Sequence, residues 1–142
     1  MIKQLTVFLE NSEGRLEALV RTLGDANINM NALTIAYTSD YGLVRIICSE
    51  PDRAGQVLND SGFRAMVSKV SAIEVPNRPG GLADLFATLS NMNLNIEYGY
   101  CFSVDNDKAV DVLKIRDAEE ASEASAALEA AGFTVLSEAD LL

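Results

Sequence analysis

Alternating apolar and polar positions predict short β-strands separated by helices along the whole chain. Near the N-terminus Leu5, Val7 and Leu9 are separated by single residues, so a strand there presents one apolar face. The next segment changes to spacings of three and four, which predict a helix with one apolar stripe, at Leu16, Leu19, Val20 and Leu23. The same succession of strand and helix begins again beyond residue 70.

This recurrence is an internal duplication. The segment that begins at Asn11 matches the segment that begins at Asn77, at an offset of 66 residues. The same offset aligns a later apolar group with its counterpart, which pairs Val44, Ile46 and Ile47 with Val110, Val112 and Leu113. Near the end of each copy the offset is 70, because Gly62 aligns with Gly132. We therefore expect the extra four residues in the acidic second helix of the second copy.

Each copy has the element order β-α-β-β-α-β. This order predicts an α+β, ferredoxin-like fold in which both helices cover one face of a four-stranded antiparallel sheet. We expect Asn27 and Asn93 to take a left-handed conformation where the first helices end, and Gly62 and Gly132 to end the second helices.

No linker separates the two copies. Residues 63–75 must supply the last strand of one copy and the first strand of the next, so the predicted domains are 1–69 and 70–142. We expect them to pair as an intrachain pseudo-dimer, and two chains to form a homodimer. The third strands should place Arg45 and Asp111 on the outward face, and the outward apolar residues that suggest association are Phe8, Ile47 and Leu113.

The charge of the chain argues against two classes of partner. The net charge is −10, and the second half, residues 71–142, holds thirteen acidic side chains against four basic ones. Such a surface repels phosphate backbones and anionic lipid, so we expect neither a nucleic acid nor a membrane as partner.

The residues that would support catalysis or metal binding are scarce. The sequence has no histidine, no nucleotide-binding glycine loop and no nucleophile motif, so we predict no catalytic residue, metal or cofactor. Cys48 and Cys101 lie far apart in strand-like segments, and we interpret both as reduced, small apolar side chains. The N-terminal segment has neither a secretory nor a membrane-spanning pattern, so we expect a cytoplasmic location.

The turns after the first strands carry a family resemblance. Asn11-x-x-Gly14-x-Leu16 and Asn77-x-Pro79-Gly80-x-Leu82, each followed by an asparagine-rich segment that opens the second strand, resemble the ACT domain family. The resemblance covers essentially the whole chain as a tandem pair. It implies a regulatory or sensor protein that binds a free amino acid between two domains, and a metabolic enzyme as a possible regulated partner.

The resemblance also implies two pseudo-equivalent ligand sites. In each, the turn after one first strand faces the opening of the other copy's second strand. The turn residues implied are Asn11, Ser12, Gly14, Arg15 and Leu16 in the first copy, and Asn77, Arg78, Gly80, Gly81 and Leu82 in the second. The strand residues implied are Asn95, Ile96 and Tyr98 for the first site, and Asn29 and Met30 for the second.

Elementary chemistry supports such a site and leaves alternatives open. A turn that opens a helix presents unpaired N–H groups to a carboxylate, and glycine lets a ligand approach the backbone. The same glycines could serve turn geometry alone, and Asn11 and Asn77 could simply cap the helices. Tyr98, Tyr100 and Phe102 could pack against a partner sheet or stack on a ligand. An acylphosphatase-like enzyme and an RNA-recognition module share this element order and are the alternative functions.

Overall fold

A computed structural model of the chain describes residues 1–103 and 105–141. Its elements, in chain order, are β1 (Ile2–Glu10), α1 (Arg15–Asp25), β2 (Met30–Tyr37), β3 (Tyr41–Cys48), α2 (Pro51–Asp60), β4 (Arg64–Pro76), α3 (Gly81–Leu89), β5 (Ile96–Ser103), β6 (Lys108–Ile115), α4 (Ala118–Ala130) and β7 (Thr134–Val135). A 3-10 helix, Glu138–Leu141, follows. The chain divides into an N-terminal unit, Lys3–Ser68, and a C-terminal unit, Lys69–Leu142 with Met1–Ile2.

The N-terminal unit is a sheet covered by two helices. Its strands run β2-β3-β1, all antiparallel, with Val7 opposite Val44. The start of β4 lies beside β1, where the Arg64 guanidinium stands over the Phe8 ring. Side chains of α1, α2 and the helix-facing side of the strands form one core, which includes Leu5, Val7, Leu19, Leu23, Val44, Ile46, Ala54 and Leu58.

The C-terminal unit repeats this arrangement. Its strands run β5-β6-β4-β7, again antiparallel. Helices α3 and α4 cover one face, and the core there includes Ile73, Val75, Leu85, Leu89, Leu113, Ile115, Ala124 and Leu128. The predicted α+β fold with two β-α-β-β-α-β copies is therefore confirmed, and β4 is one continuous strand that serves both copies, as expected for residues 63–75.

The predicted helix ends are also confirmed. Asn27 and Asn93 have φ angles of 58° and 55°, in the left-handed region that asparagine tolerates. After α1, the N–H of Ile28 donates to the carbonyl of Leu23 at 3.0 Å, which closes the helix. Glycines follow the second helices, at Gly62 and Gly132, again with positive φ.

The register of the strands corrects the predicted alignment. Val7 lies opposite Val44, whereas Ile73, its equivalent at an offset of 66, lies opposite Asp111. The equivalent of Val44 is therefore Asp111, at an offset of 67, and not Val110. One of the four extra residues belongs to the connection between β5 and β6. The other three lengthen the second helix, since α2 has 10 residues and α4 has 13.

The prediction that Asp111 faces outward is consequently wrong. Directly opposed residues on neighbouring strands share a face, and Ile73, opposite Asp111, belongs to the core under the helices. Leu113, two residues further along, also belongs to that core and is not an outward association residue. Ile47, between core-facing Ile46 and Cys48, is on the outward face as predicted but is buried there, whereas Phe8 is exposed as expected. Arg45 lies next to core-facing Val44, so it is on the opposite face, as predicted.

Asp111 is thus a carboxyl group at a position where the first copy has valine. Only 3% of the residue is exposed. Its Oδ1 accepts a hydrogen bond from the Cys101 thiol at 3.2 Å, and its enclosed Oδ2 has no hydrogen-bond partner among the described residues. Burial raises the pKa of Asp111, and the Cys101 hydrogen bond opposes this shift only in part. Burial and the neighbouring Asp111 raise the pKa of Cys101 to about 11, so this thiol is protonated at neutral pH.

Replacing Asp111 with the valine of the first copy is expected to stabilise the protein. At pH 7, Asp111→Val should raise the free energy of unfolding by about 1–3 kcal/mol, because a buried charge is removed and apolar surface is buried. Because the pKa of Asp111 is raised in the folded protein, the stability lost through its buried charge is greatest above that pKa. This loss disappears as the pH falls toward the ordinary pKa of an aspartate, about 4.

Urea unfolding measured from pH 7 down to pH 4 checks this expectation. The gain should shrink steadily as the pH is lowered, and Asp111→Asn, which removes the charge but keeps the shape, should show a smaller gain at pH 7. A valine variant less stable than the parent protein at pH 7 would contradict the assignment of a destabilising buried charge.

Candidate functional site

The turn between the first strand and the first helix has the same backbone conformation in both units. Gly14 precedes α1 with a φ of 83°, and Gly80 precedes α3 with a φ of 89°. A left-handed φ of this size is costly for residues with a Cβ, so glycine is the natural choice. Neither described helix start receives a side-chain cap, and the first N–H groups of a helix have no partner within it. The N–H groups of the first helical residues, Arg15 and Gly81, donate to carbonyls within the turn. The backbone donors that each turn offers therefore come from the two residues after them.

The capping interpretation of the two asparagines is wrong. The cap positions are held by Gly14 and Gly80, and neither asparagine caps its helix. Asn77 instead fixes its turn to the β5–β6 connection: its backbone N–H donates to the carbonyl of Asp107 at 2.7 Å, and its side-chain amide donates to the carbonyl of Asn106 at 3.3 Å. Asn11 and Ser12 lie exposed on the equivalent turn.

The space around the turn glycines differs from one position to the next. A Cβ on Gly14 would meet no atom within 4 Å, and a Cβ on Gly80 would meet only the Arg78 guanidinium at 3.8 Å. At Gly81 the situation is reversed, because a Cβ would lie 2.2 Å from the carbonyl oxygen of Pro76. This contact explains why the second copy has glycine where the first has Arg15.

Within one unit, the turn and the predicted strand residues lie at opposite ends of the sheet. Glu10, just before the first turn, pairs with Tyr41 at the start of β3, whereas Met30 pairs with Cys48 at its end. Eight strand residues span roughly 25 Å. The C-terminal unit has the same layout, with the N–H of Arg116, beyond the end of β6, donating to Asn95. A ligand site that joins a turn to Asn29 and Met30, or to Asn95, Ile96 and Tyr98, therefore requires two domains.

Each unit has a cleft of its own beside its turn. The cleft of the N-terminal unit has a volume of about 400 Å³ and is lined by Phe8, Leu9, Glu10, Arg15, Asp40, Tyr41, Gly62 and Arg64. The cleft of the C-terminal unit, about 620 Å³, is lined by Glu74, Val75, Pro76, Arg78, Asp84, Thr88, Asp107, Lys108, Ala131, Gly132, Phe133 and Thr134. Each cleft lies at the end of the first strand of its unit. The turn of the β-hairpin formed by the second and third strands lies beside it, as does the junction between the second helix and the last strand.

Two arginines of the N-terminal cleft are held by aromatic rings. The Arg15 guanidinium stands 4.4 Å from the centre of the Phe63 ring, and that of Arg64 stands 5.6 Å from the centre of the Phe8 ring. Such contacts orient a guanidinium without neutralising its charge. Among the described residues neither arginine forms an ion pair with a carboxylate, and the Arg15 Nε is enclosed without a hydrogen-bond partner.

The cations of the C-terminal cleft already have carboxylate partners. Lys108 Nζ lies 2.7 Å from Glu74 Oε1, and Arg78 lies 3.3 Å from Asp84 Oδ2. The hydrogen bond and charge of Glu74 raise the pKa of Lys108 above its ordinary value. The clefts occupy equivalent places, but, among the described residues, only the first presents cations without anionic partners.

Comparison with known proteins places this architecture in a family. The family model described as an ACT domain pair matches residues 1–138. The chain belongs to this family. Tandem ACT domains are typically regulatory and bind small ligands.

Solved structures agree with the assignment. Protein BT0572 from Bacteroides thetaiotaomicron is 36% identical, with 99% of this chain and 94% of that chain covered and a TM-score of 0.90. The ligand-free regulatory subunit of aspartate kinase from Thermus thermophilus shares the ACT-pair fold at 14% identity, with 92% of each chain covered and a TM-score of 0.67. The regulatory subunit of aspartate kinase from Thermus flavus shares it at 14% identity, with 91% of each chain covered and a TM-score of 0.62. No curated protein sequence matches the chain significantly.

In each unit, only one residue of the turn between the first strand and the first helix also lines the cleft. Arg15 and Arg78 line the clefts, whereas the other turn residues, Asn11, Ser12, Gly14, Leu16, Asn77, Gly80, Gly81 and Leu82, lie outside the two linings. Sequence reasoning missed Tyr41, Arg64 and Lys108, which come from elements distant along the chain. The duplication could have indicated these residues, because they lie beside the β-hairpin turns or beside the glycines that end the second helices.

The described part of the chain has few residues that could form another kind of functional site. There, no group of three or more histidine, cysteine or acidic residues could hold a metal ion. Cys48 is a buried free cysteine, and Cys101 is a free cysteine that is exposed as a residue while its thiol donates to Asp111. None of the described helices is long and apolar enough to cross a membrane.

Proposed function

We propose that this ACT-domain pair is a regulatory sensor that binds a free amino acid at the turns opening α1 and α3. The observation that carries the proposal is the uncapped helix start at Gly14 and Gly80. The N–H groups of the second and third residues of each helix and the positive end of the helix dipole suit a ligand carboxylate, and the open space over Gly14 leaves room for one.

The family resemblance supplies the rest of this pocket. The second strand of a neighbouring ACT domain closes it, through Asn95, Ile96 and Tyr98 or through Asn29 and Met30. Amide side chains both donate and accept hydrogen bonds, so they can serve the ammonium and the carboxylate of an amino acid. Since the turn and this strand lie at opposite ends of one unit, the proposal requires pairing of domains.

A regulatory role fits the chemistry better than catalysis does. Two structures with this fold are regulatory subunits of aspartate kinase, and we extend a regulatory role, with a metabolic enzyme as partner in the cytoplasm, to this chain. The acylphosphatase-like alternative needs an arginine that cradles phosphate in the first turn. Arg15 is stacked on Phe63, and Gly81 replaces it in the second copy, so this alternative has less support.

We further propose that the chain forms a homodimer. In the N-terminal unit the outer strand β2 exposes three apolar side chains on its helix-facing side: Leu33 (36%), Ile35 (40%) and Tyr37 (48%). An exposed apolar row on an edge strand favours association.

Sedimentation velocity at micromolar concentration should show a dimer, and Ile35→Lys should shift it toward monomer. A monomeric parent protein at high micromolar concentration would contradict the proposal.

A blocked turn should abolish binding of the ligand. A thermal-shift screen of the twenty amino acids first identifies it, since a ligand at a hundred times its dissociation constant stabilises the fold by about 2.7 kcal/mol. Gly14→Asn and Gly80→Asn keep the left-handed φ that asparagine tolerates and place a side chain before the N–H groups. At least one of the two should lower affinity by about tenfold or more, the value of a charge-assisted hydrogen bond.

Gly132→Asn is the matched control. Gly132 also has a positive φ, and a Cβ there would meet no atom within 4 Å, but the residue follows α4 and belongs to neither turn. The control variant should therefore lose similar stability and keep its affinity by calorimetry. Unchanged affinity in both folded turn variants would show that Gly14 and Gly80 serve only the turn.

A further inference from the structure

We propose that the cleft of the N-terminal unit selects the ligand: it holds a free amino acid with an aromatic side chain, and the C-terminal cleft does not. The inference rests on the proposed function and adds to it the class of amino acid and the unit that recognises it.

Two arginines provide an anchor for the carboxylate of the ligand. Arg15 and Arg64 line the N-terminal cleft, and among the described residues neither pairs with a protein carboxylate. A guanidinium fork matches a carboxylate geometrically and binds it strongly. Arg15 directly follows the open turn at Gly14, so the anchor and the free N–H groups are neighbours. Four other arginines each form an ion pair within the protein: Arg21, Arg53, Arg78 and Arg116.

Acidic and aromatic side chains of the same cleft suit the remainder of the ligand. Glu10 and Asp40 line the cleft, are exposed and can accept hydrogen bonds from an ammonium group. The rings of Phe8 and Tyr41, exposed to 39% and 46%, supply apolar surface beside these charges. A ligand that carries a carboxylate, an ammonium and a ring satisfies all three features, and ring–ring contact adds to the burial of apolar surface.

The second copy has replaced the groups that define this cleft. Five residues of the first cleft have counterparts with different chemistry: Phe8, Glu10, Arg15, Tyr41 and Arg64 correspond to Glu74, Pro76, Gly81, Lys108 and Thr134. The cations that line the second cleft, Lys108 and Arg78, are paired with Glu74 and Asp84. Within the described residues, the second cleft therefore has no unpaired anchor for a carboxylate, and it is lined by one ring, Phe133, in place of the rings of Phe8 and Tyr41.

Calorimetry on the full chain tests the proposal with L-phenylalanine as the probe. L-Alanine lacks the ring, 3-phenylpropionate lacks the ammonium, and phenethylamine lacks the carboxylate. L-Phenylalanine should bind with one site per chain. Each of the other three compounds should bind at least about tenfold more weakly, since each lacks one charged or apolar contact.

The variants use the duplication itself as a guide. Arg64→Thr introduces the residue of the second copy, and Arg15→Gln removes the charge without a glycine at the start of the helix. Each should weaken phenylalanine binding by about tenfold or more. Arg21→Gln removes an exposed, ion-paired arginine of α1 that lines neither cleft and should change affinity less than twofold. Circular dichroism and thermal melts verify that each variant is folded.

Three results would overturn the inference. These are two equivalent sites per chain, equal losses in Arg64→Thr and Arg21→Gln, or no phenylalanine binding up to about 10 mM, beyond the weakest useful affinity. If a different amino acid binds and its affinity depends on Gly14 or Gly80, the inference fails while the proposed function stands. If none of the twenty amino acids binds, both fail.

Discussion

The reversal from the first strand into the first helix depends on one backbone conformation, the left-handed glycine at Gly14 and Gly80. The first N–H group of each helix donates within the turn, and because the helix starts without a side-chain cap, the next two N–H groups are left open. It also brings the residue after it, Arg15 in one copy, to the cleft where the strand ends. The core packing of each unit holds this turn in place, since the strand before it and the helix after it both contribute core residues, such as Leu9 and Leu19.

The duplication shows how one fold tolerates divergent chemistry. Beneath the helices, the valine of one copy corresponds to the buried Asp111 of the other. At the turn, Gly81 approaches the Pro76 carbonyl so closely that an arginine there is sterically excluded. At the clefts, unpaired arginines and rings in one copy correspond to internal ion pairs in the other. The backbone is retained where packing requires it, and the side chains differ where ligands could bind.

The sequence was sufficient for the fold, but it did not predict which residues line the two clefts. The strand and helix periods, Asn27 and Asn93 at the helix ends and the shared strand β4 all follow from local spacing, which short-range sterics control. Asp111 was misplaced because a single extra residue in the β5–β6 connection shifts every later side chain to the other face. Tyr41 and Arg64 were missed because only the register of β1 against β3 and the position of β4 bring them beside Arg15. Pairing across strands is a tertiary property that local periodicity does not contain.

Recognition of the ligand by the N-terminal turn and cleft is the central claim. An NMR titration of the ¹⁵N-labelled full chain with L-phenylalanine tests it most directly, because each backbone amide reports on its own surroundings. We predict saturable shifts that are largest at Arg15, Tyr41, Gly62 and Arg64, with small changes at Lys108 and Gly132. Shifts that are largest around Lys108 and Gly132, or an absence of saturable shifts, would contradict the claim.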